Sequence, residues 1–297
     1  MTITAESEVG RIAFLPGGLL AGLCADGKAR VWDPRSGALK RTVAPDKGDS
    51  DATLLGASSQ MAALGKDGSV KVWNLETGEK VRRLAGPEHR VRGLAATPEL
   101  SLIAGASVAA GNPSERIVHV VDGAGRSRFD AAAGLGGTSV LAFAPGGSVF
   151  AVASYDTSIR AFNSRNGELL RHIEEIPVAT FAMVFSPDGR MLATGGADRI
   201  VRLWDTANWS LARRLEGQPE MISALAWAPD GKRLLSGGFS ELTTRQPVSV
   251  ILWDAGTGRI LRKFDAAQRV DSVAFSPDGS LAAMSCRRKE VAVWSLA

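Results

Sequence analysis

Three histidines, two cysteines and 31 carboxylates carry most of the reactive chemistry in this 297-residue chain. Their spacing assembles no reactive site. His89, His119 and His172 are scattered and do not form the closely spaced ligand set of a zinc centre. Cys24 and Cys286 make no Cys-x-x-Cys pair, which excludes a dithiol motif and a disulfide framework. No Gly-x-Ser-x-Gly elbow, His-Glu-x-x-His run, P-loop lysine or kinase motif occurs. The carboxylates that recur, Asp33, Asp205 and Asp254, each follow a Trp and begin a turn. They fall in separate segments and do not pair as acid and base. What remains is the chemistry of a binding surface: Phe, Tyr, Met and Arg side chains, which are enriched where proteins meet.

The elements that carry these side chains repeat. A hydrophobic run, a Pro-Asp-Gly turn, a second apolar run, a polar turn and a run ending in Trp-Asp follow one another from Val184 to Asp205. Ala13–Asp33 and Ala274–Ser295 repeat the phrase. The anchor falls at Trp32, Trp73, Val121, Phe162, Trp204, Trp253 and Trp294, in steps of 41, 48, 41, 42, 49 and 41. Seven units of this length predict seven four-stranded propeller blades. In Ser186–Gly189, Pro presets φ, Asp bonds its own backbone and Gly takes the positive-φ place. Asp26-Gly27 and Asp67-Gly68 turn the second hairpin, and Asp33–Gly37, Asn74–Gly78 and Asp254–Gly258 turn the third. The four strands of a blade are called a to d, from the centre outward.

Strand d carries 13 of the 35 basic residues, Arg41, Arg83, Arg171 and Arg214 among them. Charge on an outer edge blocks edge-to-edge pairing, which accounts for the small net charge of +4 without a nucleic-acid partner. A single Tyr offers no platform for stacking bases. The seventh repeat ends at strand c. Thr2–Ala5 is β-prone and is expected to supply the missing strand, which makes residues 1–297 one all-β, seven-bladed propeller domain closed by its N-terminal strand. The opening MTITAESEVG lacks the features of a secretory signal, and no apolar run approaches a membrane span. The expected location is a reducing cytoplasm.

These seven composite repeats resemble the WD40-repeat β-propellers over the whole chain, as a divergent member of bacterial type. The Gly-His pair that members carry before strand a is missing in every blade. Their network of that His, a turn Asp, a strand-b hydroxyl and the Trp is therefore expected to be partial. Asp198, Thr194 and Trp204 supply three of its four members in the fifth blade. The resemblance implies a non-catalytic scaffold for protein–protein contacts, without cofactor or metal.

The resemblance also implies contact residues on the top face, where the b–c and d–a loops emerge. They flank the first strand-a hydrophobe and precede the turn Asp. Here they are Glu8 and Gly10, Arg90 and Arg92, Ala179 and Phe181, Met221 and Ser223, and Arg269 and Asp271. Ala25, Lys66, Tyr155 and Ala197 hold the position before Asp, with Arg287 in the last blade. Tyr155, Phe181 and Met221 are expected to form an apolar sector. Arg269, Arg287 and Arg288 form a basic one beside it, with Arg90 and Arg92 further round. Two insertions, residues 105–116 and 237–248, are expected as long b–c loops on this face. Trp209 is expected as a weaker contact on the opposite face. The expected partner is a protein offering a peptide or loop with acidic residues, bound by a monomeric propeller within a complex. A membrane partner is excluded and nucleic acid is disfavoured. The alternative is a lactonase- or hydrolase-like propeller enzyme, or a small-molecule binder, using the channel mouth.

Overall fold

The computed structural model describes residues 1–47, 49–65, 69–84, 92–97, 100–109, 112–135, 138–174, 176–240, 247–286 and 288–296. They form seven antiparallel four-stranded sheets. The innermost strands a are Val9–Phe14, Ser50–Leu55, Arg92–Ala96, Thr138–Phe143, Thr180–Phe185, Met221–Trp227 and Val270–Phe275. Each touches the strand a of the next blade, and the seventh touches the first, so the sheets close into a ring.

Burial explains the order of the strands. Strands b and c are short apolar runs packed between neighbouring blades, as sheets covered on both faces must be. The anchors Trp32, Trp73, Trp204 and Trp253 are buried, and Val121 and Phe162 fill the same place in blades three and four. Phe162 stacks on Phe150 with centroids 4.9 Å apart, which replaces the indole by a second ring. Strands d, such as Leu39–Val43 and Ser210–Leu215, are exposed until their last residue, where the basic side chains stand in solvent.

The N-terminus closes the ring as expected. Thr2–Thr4 adds a fourth strand to blade seven, pairing Thr2 with Ala292, Ile3 with Val291 and Thr4 with Glu290. Ala5 continues it by donating its N–H to Lys289 O at 2.6 Å. Ile3 is 1% exposed.

The first insertion departs from expectation. Residues 105–116 are not a loop over most of their length, because strand b runs over Leu102–Ala109 and strand c over Asn112–Asp122. Ser107 pairs with Ile117 and Val108 with Arg116, so the extra residues find ladder partners and lengthen the hairpin. In the second insertion Gly237–Phe239 stays in strand b and Val248 opens strand c; 241–246 lie outside the described residues. Asp67-Gly68 also lies outside them.

The Pro-Asp-Gly turns are held by their own side chains. Ser276 Oγ donates to Asp278 Oδ1 at 2.5 Å, and the Ser280 N–H donates to the same oxygen at 3.0 Å. These bonds favour the carboxylate and hold Asp278 down to about 2, below its ordinary 3.8. A depressed acid contributes stability that is present above 3.8 and lost as pH falls through about 2. Asp278→Asn is expected to flatten the acid limb of the stability profile between those values, read by urea unfolding against pH. An unchanged limb would contradict the turn's role. Ile3→Ala is expected to cost about 2–5 kcal/mol in the same assay. A loss near zero would contradict closure by this strand.

Candidate partner-binding site

The mouth of the channel on the top face is shaped by a defect repeated in every blade. Each a–b ladder carries one extra residue near the start of strand a. In six blades it is Gly10, Gly93, Ser139, Phe181, Ser223 and Asp271. A bulge of this kind ends regular pairing and re-aims a side chain. The residue before it, Val9, Thr180, Ile222 or Val270, is buried. Phe181, Ser223 and Asp271 are therefore set apart from the core side chains beside them. In blade three the ladder pairs Arg92 with Ala106 and Leu94 with Gly105, which puts the bulge at Gly93.

Blades five to seven join into one sector. The Phe181 ring meets Phe239 edge to face, centroids 5.5 Å apart. Phe239 ends strand b of blade six, pairs across the ladder with Met221, and is 8% exposed. The Arg269 guanidinium lies over the other part of this cluster, 4.7 Å from the Phe239 centroid. Its Nε binds Asp271 Oδ1 at 3.2 Å. Phe181, Phe239, Arg269 and Asp271 thus run from blade five to blade seven through direct contacts, with Met221 beside them. Sequence reasoning missed Phe239, which lies next to an insertion; its pairing with Met221 is the signal that would have found it.

The frame beneath is stiff. Ser223 Oγ donates across the blade boundary to Val270 O at 2.5 Å, and Ser285 Oγ to Gly10 O at 2.6 Å. A Cβ on Gly237 would lie 2.4 Å from Val270 Cγ1, and one on Gly195 2.5 Å from Ile222 Cγ2, so these glycines permit neighbouring blades to touch.

Blade six carries a continuous polar network with Gln218 in it, where a partial one was expected. Trp253 Nε1 donates to Ser236 Oγ at 2.8 Å, and Ser236 Oγ donates to Gln218 Oε1 at 2.7 Å. Gln218 Nε2 then reaches Glu220 Oε2 at 3.0 Å and Ser249 O at 3.1 Å. Gly217-Gln218 stands where a Gly-His pair was sought. In blade five the Trp204–Thr194 bond forms at 3.0 Å, but Asp198 turns to Arg202 at 2.6 Å. That choice recurs. The residue two before the anchor is Arg30, Lys71, His119, Arg160 and Arg202 in blades one to five, and each pairs with a carboxylate. In blades six and seven it is Ile251 and Ala292.

Blade three gives this column the outline of a nucleophilic triad. Ser107 Oγ lies 2.6 Å from His119 Nε2, and His119 Nδ1 lies 2.7 Å from Asp130 Oδ1. Ser107 and His119 are buried while the Asp130 side chain is 51% exposed, so the three form a polar ladder across strands b, c and d that opens to solvent at its outer end. Cys24 and Cys286 are free and buried, and burial pushes both thiols up, away from the reactive thiolate.

The other expected contacts fall differently. Tyr155 is 54% exposed on the b–c turn of blade four, apart from the Phe181 contacts. Arg288 and Ala25 are exposed, and Ala179 and Ala197 are half-buried. Arg90, Lys66, Arg287 and His89 lie outside the described residues, as does the side chain of Arg92. Trp209 is buried in the core beside Trp204 and offers no second contact; its positive φ of 58° tucks the indole under the turn.

The family model of the WD domain, G-beta repeat matches residues 168–205, 209–241 and 258–295. The first and third spans run from strand d of one blade to strand c of the next, and the three together contain Phe181, Met221, Phe239, Arg269 and Asp271. The chain thus carries three matches to the WD40 repeat on a seven-bladed β-propeller. No curated protein matches the chain. No helix among the described residues is long and apolar enough to cross a membrane.

The network in blade six is open to a direct test. Gln218→Ala is expected to cost about 1–3 kcal/mol by leaving the buried Ser236 hydroxyl without its acceptor. Gln218→His is expected to recover most of that loss in urea unfolding. A His variant as unstable as the Ala variant would contradict the assignment.

Proposed function

We propose that this propeller is a non-catalytic scaffold that docks a protein partner over the top face of blades five to seven. The observation that carries the reading is the continuous contact from Phe181 through Phe239 to Arg269 and Asp271. Half-buried Phe181 and Met221 supply an apolar anchor that is already ordered, so little side-chain entropy is lost on binding. Arg269 uses only its Nε on Asp271, which leaves the terminal amino groups for an incoming carboxylate. Arg288, exposed nearby in sequence, adds positive charge to the same blade. The partner is therefore a peptide or loop that combines an apolar residue with acidic ones. Residues 1–297 act as one propeller, monomeric within the complex. The free thiols Cys24 and Cys286 fit a reducing cytoplasm.

The test is a pull-down from native lysate, read by mass spectrometry, with wild type against a variant carrying Phe181→Ala, Met221→Ala and Arg269→Glu. The expected result is a protein enriched by wild type and lost from a variant with a native circular dichroism spectrum. Equal capture by the folded variant would contradict the reading.

A further inference from the structure

A second feature of the top face adjoins this sector at Asp271. Where blades seven, one and two meet, a recess of about 470 Å³ opens between the start of strand a in blade one and the connection into blade two. That volume lies in the range of small-ligand pockets. Its walls combine two chemistries. Val9, Leu23 and Ala52 are apolar, whereas Glu8, Asp49 and Asp271 bring carboxylates.

Asp49 is the unusual member. Its side chain is 2% exposed, and its Oδ1 accepts from Lys71 Nζ at 2.9 Å. Its Oδ2 is buried without a hydrogen-bond partner among the described residues. A buried acceptor left unpaired costs about 1–3 kcal/mol, and native proteins leave few of them. Glu8 is exposed and forms no ion pair among the described residues. The recess thus holds surplus acceptors beside an aliphatic wall. A metal ion is a poor fit, because no three acidic, His or Cys groups among the described residues converge as ligands.

We propose that this recess binds an alkylammonium or alkylguanidinium group, with the cation donating to Asp49 Oδ2 and Glu8 and the alkyl stem lying against Val9, Leu23 and Ala52. Long cationic side chains bury a stem of this kind while keeping the head on polar groups. Arg11 also lines the recess, and its guanidinium donates to Thr53 Oγ1 at 3.4 Å. The inference does not rest on docking over blades five to seven, since binding in the recess is read directly.

The test uses the whole chain and three probes: n-butylguanidinium, n-butylammonium and neutral 1-butanol, titrated by calorimetry. Both cations are expected to bind saturably and butanol not to. Asp49→Asn is expected to weaken cation binding about tenfold, the worth of one hydrogen bond to a charged group. Glu8→Gln, at an exposed and unpaired position that leaves the fold intact, is expected to weaken it about threefold by loss of one charge at moderate screening. No saturable binding by wild type, equal binding of butanol, or undiminished binding by both variants would overturn the proposal. A protein partner released from the propeller by n-butylguanidinium would identify the cation as that partner's side chain. A partner that stays bound while the probe binds would identify it as a free small molecule.

Discussion

A ring of sheets is stable only if every sheet is covered on both faces, and here that condition hangs on a three-residue strand. Thr2–Thr4 hydrogen-bonds to Glu290–Ala292, so that blade seven gains its outer strand from the segment that leads into blade one. The chain's two ends are thereby bound into one sheet, and opening the ring requires breaking that ladder. The buried Ile3 ties the same strand into the core shared by blades seven and one. Loss of the strand would uncover apolar surface on both sides of one boundary, which is why a short element carries so much of the fold.

Closure matters for function because it fixes where the inner strands start. In blades one, five, six and seven a buried residue precedes a bulge, and the bulge sets the next side chain apart from the core. Serine hydroxyls bonded to the backbone of the neighbouring blade hold these starts in register. Phe181, Asp271 and the flanking Met221 and Arg269 thus come from three different blades yet form one contact sequence through Phe239. Beside Asp271, Glu8 and Asp49 line a recess with an apolar wall where blades seven, one and two meet. The top face is therefore bipolar: an aromatic and guanidinium sector over blades five to seven, and an acidic recess over blades one and two.

Much of this architecture was legible in the residues. The step between Trp anchors gave seven blades, because each anchor fills the same buried place and tolerates replacement by Val121 or Phe162. Turn chemistry gave the strand order, and the β-prone Thr2–Ala5 gave the closing strand. The bulges were not legible. Gly10, Ser139, Phe181 and Asp271 share no side-chain type, and a bulge is a property of backbone register. Gln218 escaped notice because its role depends on a side-chain amide replacing an imidazole. Asp49 escaped because its burial comes from the path of a connection and not from any motif.

The account turns on blades five to seven meeting a partner through the starts of their inner strands. Hydrogen–deuterium exchange of the propeller, free and bound to its captured partner, tests this most directly. The predicted result is slowed exchange in Thr180–Phe185, Met221–Trp227 and Val270–Phe275, with the outer strands unchanged. Slowing confined to the outer strands Ser210–Leu215 and Ile260–Ala266 would contradict it.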